Sequence, residues 1–163
     1  MASAQIDWGA FELDPHPKPQ FHVGPPYGRR DWPEIQRQAT LFRLMHQLAP
    51  RIVGFAVPNA GKRNPWAARK EGIVAGVFDT QWCWRERLTA FVEMKGYDSR
   101  GRAGELSEEQ IRWGNRMADL GHHVACFYDP YAAVDWLRER GFPIRDFVAP
   151  APAERSPRVQ RNR

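Results

Sequence analysis

Three residues near the middle of the chain have types and spacing that could do chemistry together: Asp79, Glu93 and Lys95. Glu93 and Lys95 lie in "FVEMKG", residues 91–96, after the apolar run that begins at Leu88. Side chains alternate along a strand, so Phe91, Glu93 and Lys95 share one face, with the carboxylate and the ammonium about 6–7 Å apart along the strand. Asp79 ends the short apolar stretch "GVFD", and a hairpin between the two stretches would bring Asp79 and Glu93 to the same face. Two neighbouring carboxylates repel unless a cation lies between them. Hard oxygen ligands of this kind suit Mg²⁺ or Mn²⁺, and magnesium commonly takes one or two protein carboxylates plus water and phosphate. Lys95 beside such a site could orient or deprotonate a metal-activated water, or offset charge building on a phosphate. An isolated Glu-x-Lys is more often a surface ion pair of little worth. What gives this one weight is the Asp before it and a capped helix start after it.

The elements that would position these residues can be read outward from them. A helix is expected from Asp31, with Asp31 as cap, Pro33 in the first turn and Glu34 completing a capping box. Ile35, Ala39, Phe42, Met45 and Ala49 recur on one face, widened by Leu41, Leu44 and Leu48, and Pro50 ends the run. Residues 52–57 read as a short strand and "PNAGKRNP", 58–65, as a basic loop, with a helical turn from Trp66 to Glu71. A strand at 77–80, a hairpin through "QWCWRER" and a strand at 88–95 follow. A second helix opens at Ser107, with Gln110 completing a capping box, and stops at Gly121. A strand at 123–128 and a last helix after Asp129-Pro130, ending before Gly141, complete the pattern. The order is helix, three strands, helix, strand, helix. It implies an α/β layer with three hairpin-connected strands and a fourth reached by a helical crossover. Residues 1–30, rich in proline, read as an extended arm, residues 31–148 as one domain, and residues 149–163 as a basic tail without apolar pattern.

The totals limit the function classes. With 163 residues, 42% hydrophobic and 26% charged, the chain has the size and composition of one globular domain. No apolar run is long enough for a membrane span and no signal peptide is evident, so a cytoplasmic protein is expected. Cys83 and Cys126 are too few for a disulfide framework and read as reduced, buried thiols. The net charge of +5 suggests a polyanionic partner. Of 24 basic residues 20 are Arg, which suits phosphate recognition but also follows from a GC-rich genome. Against that preference, a Lys at position 95 stands out as a chemical choice. Trp66, Trp82, Trp84 and Trp113 could stack on bases or sit in a core or dimer surface. His122 and His123, adjacent on a strand, point apart and read as structural.

Taken in order, "EIQRQATLFRLM", "VPNAGKR", "GVFD", "FVEMK" and "LSEEQIRWGNRMADLGHHV" resemble the PD-(D/E)xK nuclease superfamily. Within it, they look most like the virus-type replication-repair nuclease (VRR-NUC) domain. The resemblance covers roughly residues 34–128 and departs at Phe78, where the family often has Pro. It implies a restriction-endonuclease-like core: a central mixed sheet flanked by helices. It also implies a metal-dependent, structure-specific DNA endonuclease, acting on branched or four-way-junction DNA as a homodimer. Asp79 and Glu93 would bind Mg²⁺ or Mn²⁺, with the backbone carbonyl of Met94 as a further ligand. Lys95 would be the catalytic lysine. Gln110 would sit beside the site, and Glu34 would reach the metal directly or through water. Both Glu34 and Gln110 could instead be no more than capping-box halves. Asn59, Lys62, Arg63, Arg100 and Arg102 are candidates for the DNA backbone, with ordinary basic turns as the alternative. The rival from another class is a non-catalytic nucleic-acid-binding or assembly protein on the same fold.

Overall fold

A computed structural model describes residues 15–28, 30–58, 66 and 70–151. Asn59, Lys62 and Arg63, residues 67–69 of the Trp66–Glu71 turn, and all but the first residues of the basic tail lie outside the described residues. The elements are β1 (His22–Val23), α1 (Glu34–Leu48), β2 (Val53–Ala56), β3 (Thr80–Cys83), β4 (Thr89–Met94), α2 (Glu108–Asp119), β5 (His123–Phe127) and α3 (Pro130–Glu139). The sheet order is β1-β5-β4-β3-β2. β2, β3 and β4 pair antiparallel, β4 and β5 pair parallel through the α2 crossover, and β1 adds a parallel edge. The α/β class and the crossover match the expectation. The strand count does not: the arm contributes a fifth strand at His22–Val23, two residues too short to carry a periodicity.

β4 is the central strand, and its two faces feed two cores. Ala90, Val92 and Met94 pack with Leu41, Leu44 and Met45 of α1 and Val134 and Leu137 of α3. Phe91 packs on the other face with Phe78 and Val124, under Trp113 and Met117 of α2 and Phe21 of the arm. The sheet therefore lies between an α1–α3 layer and α2. Glu93 and Lys95 share the face of Phe91, toward α2.

Three local readings are corrected. The cap of α1 is Pro33, with no side-chain hydrogen bond, so Asp31 does not cap it and Glu34 completes no capping box. The buried face of α1 is Arg37, Thr40, Leu41, Leu44 and Met45, while Ile35 is 69% exposed. An arginine leads that stripe, which shifted the apparent face. The strand expected at 77–80 starts at Thr80, so Asp79 precedes β3 rather than ending a strand. The apolar run before it is a loop, and the strand's inner face is Thr80 and Trp82. Thr80 is tolerated there because its hydroxyl donates to the Val92 carbonyl at 2.6 Å and accepts from the Trp82 indole at 3.0 Å. α2 and α3 start as expected. Ser107 and Gln110 make both bonds of a capping box, and the Asp129 side chain caps α3.

Candidate active site

β3 and β4 pair with Thr80 opposite Val92, so one step further Asp79 stands opposite Glu93. The Asp79 backbone N–H donates to Glu93 Oε2 at 3.0 Å. Lys95 Nζ donates to Glu93 Oε1 at 2.8 Å, and Gln110 Nε2 donates to the same oxygen at 2.5 Å. Glu93 is 1% exposed and Lys95 8%. Four residues that the sequence singled out, Asp79, Glu93, Lys95 and Gln110, are thus joined through one buried carboxylate. Met94 sends its side chain into the opposite core, leaving only its main chain for this side.

Two glycines let the surrounding backbone close on the carboxylate. A Cβ on Gly96 would lie 2.4 Å from the Glu34 backbone nitrogen, so the start of α1 abuts the end of β4. A Cβ on Gly76 would lie 2.3 Å from the Glu109 carbonyl oxygen, and its φ is +79°, which favours glycine. The loop before Asp79 is thereby seated on the first turn of α2, beside Gln110. Gln110 serves both roles at once: its Oε1 accepts from the Ser107 N–H at 3.0 Å while its Nε2 holds Glu93.

The electrostatics follow from burial around a tight pair. Burial pulls the Lys95 ammonium down, but the Glu93 charge, their hydrogen bond and Glu34 outweigh it and hold the group above its ordinary value. Burial raises the Glu34 carboxyl, opposed by Lys95 and reinforced by Glu93. Glu34 therefore feels both members of the pair from the start of α1. Cys126 faces Glu93 across the β4–β5 ladder, and burial, with the Glu93 charge, pushes its thiol up to about 12. Both cysteines are free.

Sequence reasoning missed Arg37, which is fully buried one turn into α1. Its Nε donates to the Trp32 carbonyl at 2.8 Å, and its Nη1 to the Tyr27 and Tyr128 carbonyls at 2.5 Å each. The guanidinium lies 4.5 Å from the Trp32 ring and 5.3 Å from that of Tyr97. It ties the arm, the start of α1 and the end of β5 around the site. The one signal in the sequence was an arginine in register with Leu41, Leu44 and Leu48, four, seven and eleven residues on.

Other candidates stand apart from the cluster. Asp98 accepts from the backbone N–H groups of Arg100 and Arg102 and pairs with the Arg102 guanidinium at 2.8 Å, so Arg102 is engaged in shaping its own loop. Arg100 is exposed on that loop. Trp82 is core, and Trp113 packs on Phe78 and Phe91. Trp66 is 68% exposed, with the Lys70 ammonium 4.7 Å from its ring. His122 meets Phe91 and His123 meets Trp136, on opposite faces of the sheet as adjacent strand residues must.

Among the described residues no group of three or more His, Cys, Asp and Glu side chains is placed to hold a metal ion. The donor set suits magnesium nonetheless, which needs only one or two carboxylates when water and phosphate supply the rest. Asp79, one residue before β3, stands opposite Glu93 of β4, and Glu93 Oε2 accepts a single hydrogen bond in the site. No family model matches this chain, and neither a curated protein nor a solved structure matches it significantly. Among the described residues no helix is long and apolar enough to cross a membrane.

Proposed function

We propose that this chain is a metal-dependent endodeoxyribonuclease with a restriction-endonuclease-like core. The observation that carries the reading is Glu93. It is a nearly inaccessible carboxylate in the central strand, held at once by Lys95, Gln110 and the Asp79 N–H. A buried ion pair is a poor stability device, because desolvation offsets the attraction and apolar residues of similar volume often do as well. Its presence here is better explained by chemistry than by folding.

Asp79 and Glu93, with the Met94 carbonyl, would hold Mg²⁺ or Mn²⁺, which would supply positive charge at the phosphate and acidify a water. Lys95 donates to an oxygen of the phosphodiester as negative charge builds there. Gln110 fixes the rotamer of Glu93, and Glu34 contributes negative charge at the rim. Water adds to phosphorus, the bond to one sugar oxygen breaks, and a phosphate monoester and a free hydroxyl result. Branched DNA is the substrate class and a symmetric homodimer the assembly that go with this reading. The homodimer rests on the sequence resemblance alone, and the DNA substrate on the resemblance and the net charge of +5.

The test is cleavage of duplex, flap and four-way-junction DNA in Mg²⁺, Mn²⁺ or EDTA. Cutting should require metal and fall by about 10²-fold or more in Lys95→Ala and Asp79→Asn. Cutting that survives EDTA or both substitutions would sink the mechanism. The net charge of +5 fits equally a second reading, a binding protein on the same fold. That reading wins if the wild type binds DNA and cuts none of these substrates in either metal.

A further inference from the structure

We infer a second polyanion-binding surface at the end of the sheet opposite Glu93 and Lys95, built from Arg51, Arg85 and Arg87 and shaped for a nucleic-acid phosphate backbone. Arg85 and Arg87 lie in the five-residue loop, 84–88, that joins β3 to β4, and Arg51 lies just before β2, which pairs with β3. The loop precedes β4 and Lys95 follows it, so strand rise separates the two sites by about 20 Å.

Three observations converge on this surface. First, Trp84 gathers two of the cations: the Arg51 and Arg85 guanidinium carbons lie 5.5 and 4.9 Å from its ring centroid. A guanidinium lying against an indole keeps its N–H edge free to fork onto phosphate oxygens, and it has lost side-chain freedom in advance. Second, all three arginines are exposed, and among the described residues none has a carboxylate partner. Arg102, Arg112 and Arg138, by contrast, are each paired. Third, the loop carries two consecutive non-glycine residues in the left-handed region, Glu86 at φ 61° and Arg87 at φ 65°. Asn and Gly would relieve that backbone, so an unfavourable conformation is retained where the basic side chains are displayed. Arg140 borders the surface from the end of α3, 4.0 Å from the Trp136 ring, next to Gly141 and Leu88.

Nucleic acid fits better than a bilayer. The loop at residues 84–88 exposes no large apolar side chain and Trp84 is half-buried against its arginines, which leaves Val53 and Phe55 of neighbouring β2 as the exposed apolar side chains a bilayer could take. The surface does not depend on the catalytic reading, since it would bind phosphate whether or not the other end cuts it.

The experiment is duplex-DNA binding in EDTA across a salt series, with wild type and R51A/R85A/R87A. Each lost phosphate contact removes about 0.9 from the slope of log K against log salt, so the slope should shrink by about 2–3. A control, K18A/R43A/R116A, removes three exposed charges from other elements and should change the slope by less than half as much. If the alanine variant does not fold, R51K/R85K/R87K keeps the charge and should retain the slope with weaker affinity. Equal slopes in wild type and the alanine variant would overturn the proposal. So would equal losses in the variant and the control, or unchanged affinity in the lysine variant. Arginine-dependent binding to phosphatidylserine vesicles with DNA binding unaltered would transfer the surface to lipid and also overturn it. Absence of cleavage would count against the nuclease reading alone.

Discussion

At the scale of single residues, the site is one carboxylate with three of about four lone-pair positions filled. Glu93 Oε1 accepts two donors and Oε2 one, so its rotamer is fixed before any ligand arrives. The Asp-Glu-Lys trio was legible because residue type and strand alternation are local facts. The meaning of Gln110 was not legible as a choice between two roles, because the side chain has an acceptor and a donor end and uses both. The same neighbourhood sets a pH limit. Cys126 stays protonated in the fold up to about 12, whereas an unfolded thiol titrates near its ordinary 9.0. Between those values the unfolded chain has lost a proton that the folded chain keeps, so stability falls as pH rises. Lys95 acts in the same direction: its contribution is fully present below its unfolded value of 10.5 and is lost as pH passes through the higher folded value. Melting temperature should therefore decline steadily above pH 9. The decline should be shallower in Cys126→Ala, and a parallel decline in that variant would mean the thiol plays no part.

At the scale of elements, α2 carries the most consequence. Its first turn supplies Gln110, receives the Gly76 loop and holds Glu93, while its second half covers Phe91 and Phe78. Cap and site can be separated experimentally. Ser107→Ala removes one half of the capping box and should cost about 1 kcal/mol while leaving the Gln110 amide within reach of Glu93. Gln110→Ala should cost a similar amount of stability by urea denaturation, yet reduce cleavage at least tenfold more than Ser107→Ala. Equal losses of activity in the two variants would reduce Gln110 to its capping role. Elements with strong local signals were legible here: α2 and α3 begin at their capping residues. β3 was displaced because "GVF" outweighs "TQWC" in apolar content. The true strand's inner face depends on a threonine whose hydroxyl is satisfied only by tertiary partners.

At the scale of the whole molecule, the chain is held together by a segment that no local signal marked. Asn115 on α2 accepts from the Gln20 N–H at 2.7 Å and donates to the Lys18 carbonyl at 2.9 Å. Phe21 then packs over Gly114, where a Cβ would come within 2.5 Å of its ring. Arg37 fastens the following stretch through Tyr27 and Trp32. Asn115→Ala should speed hydrogen exchange and limited proteolysis across residues 15–23 while β3 and β4 keep their protection. Unchanged exchange in that segment would show that Phe21 and Arg37 suffice to hold it. The arm was unreadable because it is polar, proline-rich and two residues long as a strand, and its partners lie about a hundred residues away.

That distance has a consequence for how the protein is made. His22 and Val23 leave the ribosome about a hundred residues ahead of Ala125 and Cys126, the residues they pair with. Until those residues emerge, β1 has nothing to dock on, and β4 likewise lacks the strand it pairs with on that side. The sheet can close only after β5 has been synthesised. From the moment β5 forms until β1 docks, the free edge of β5 is an open template on which another copy could add a strand. The two residues of β1 are the last to be placed, and in placing them the finished molecule withdraws that template.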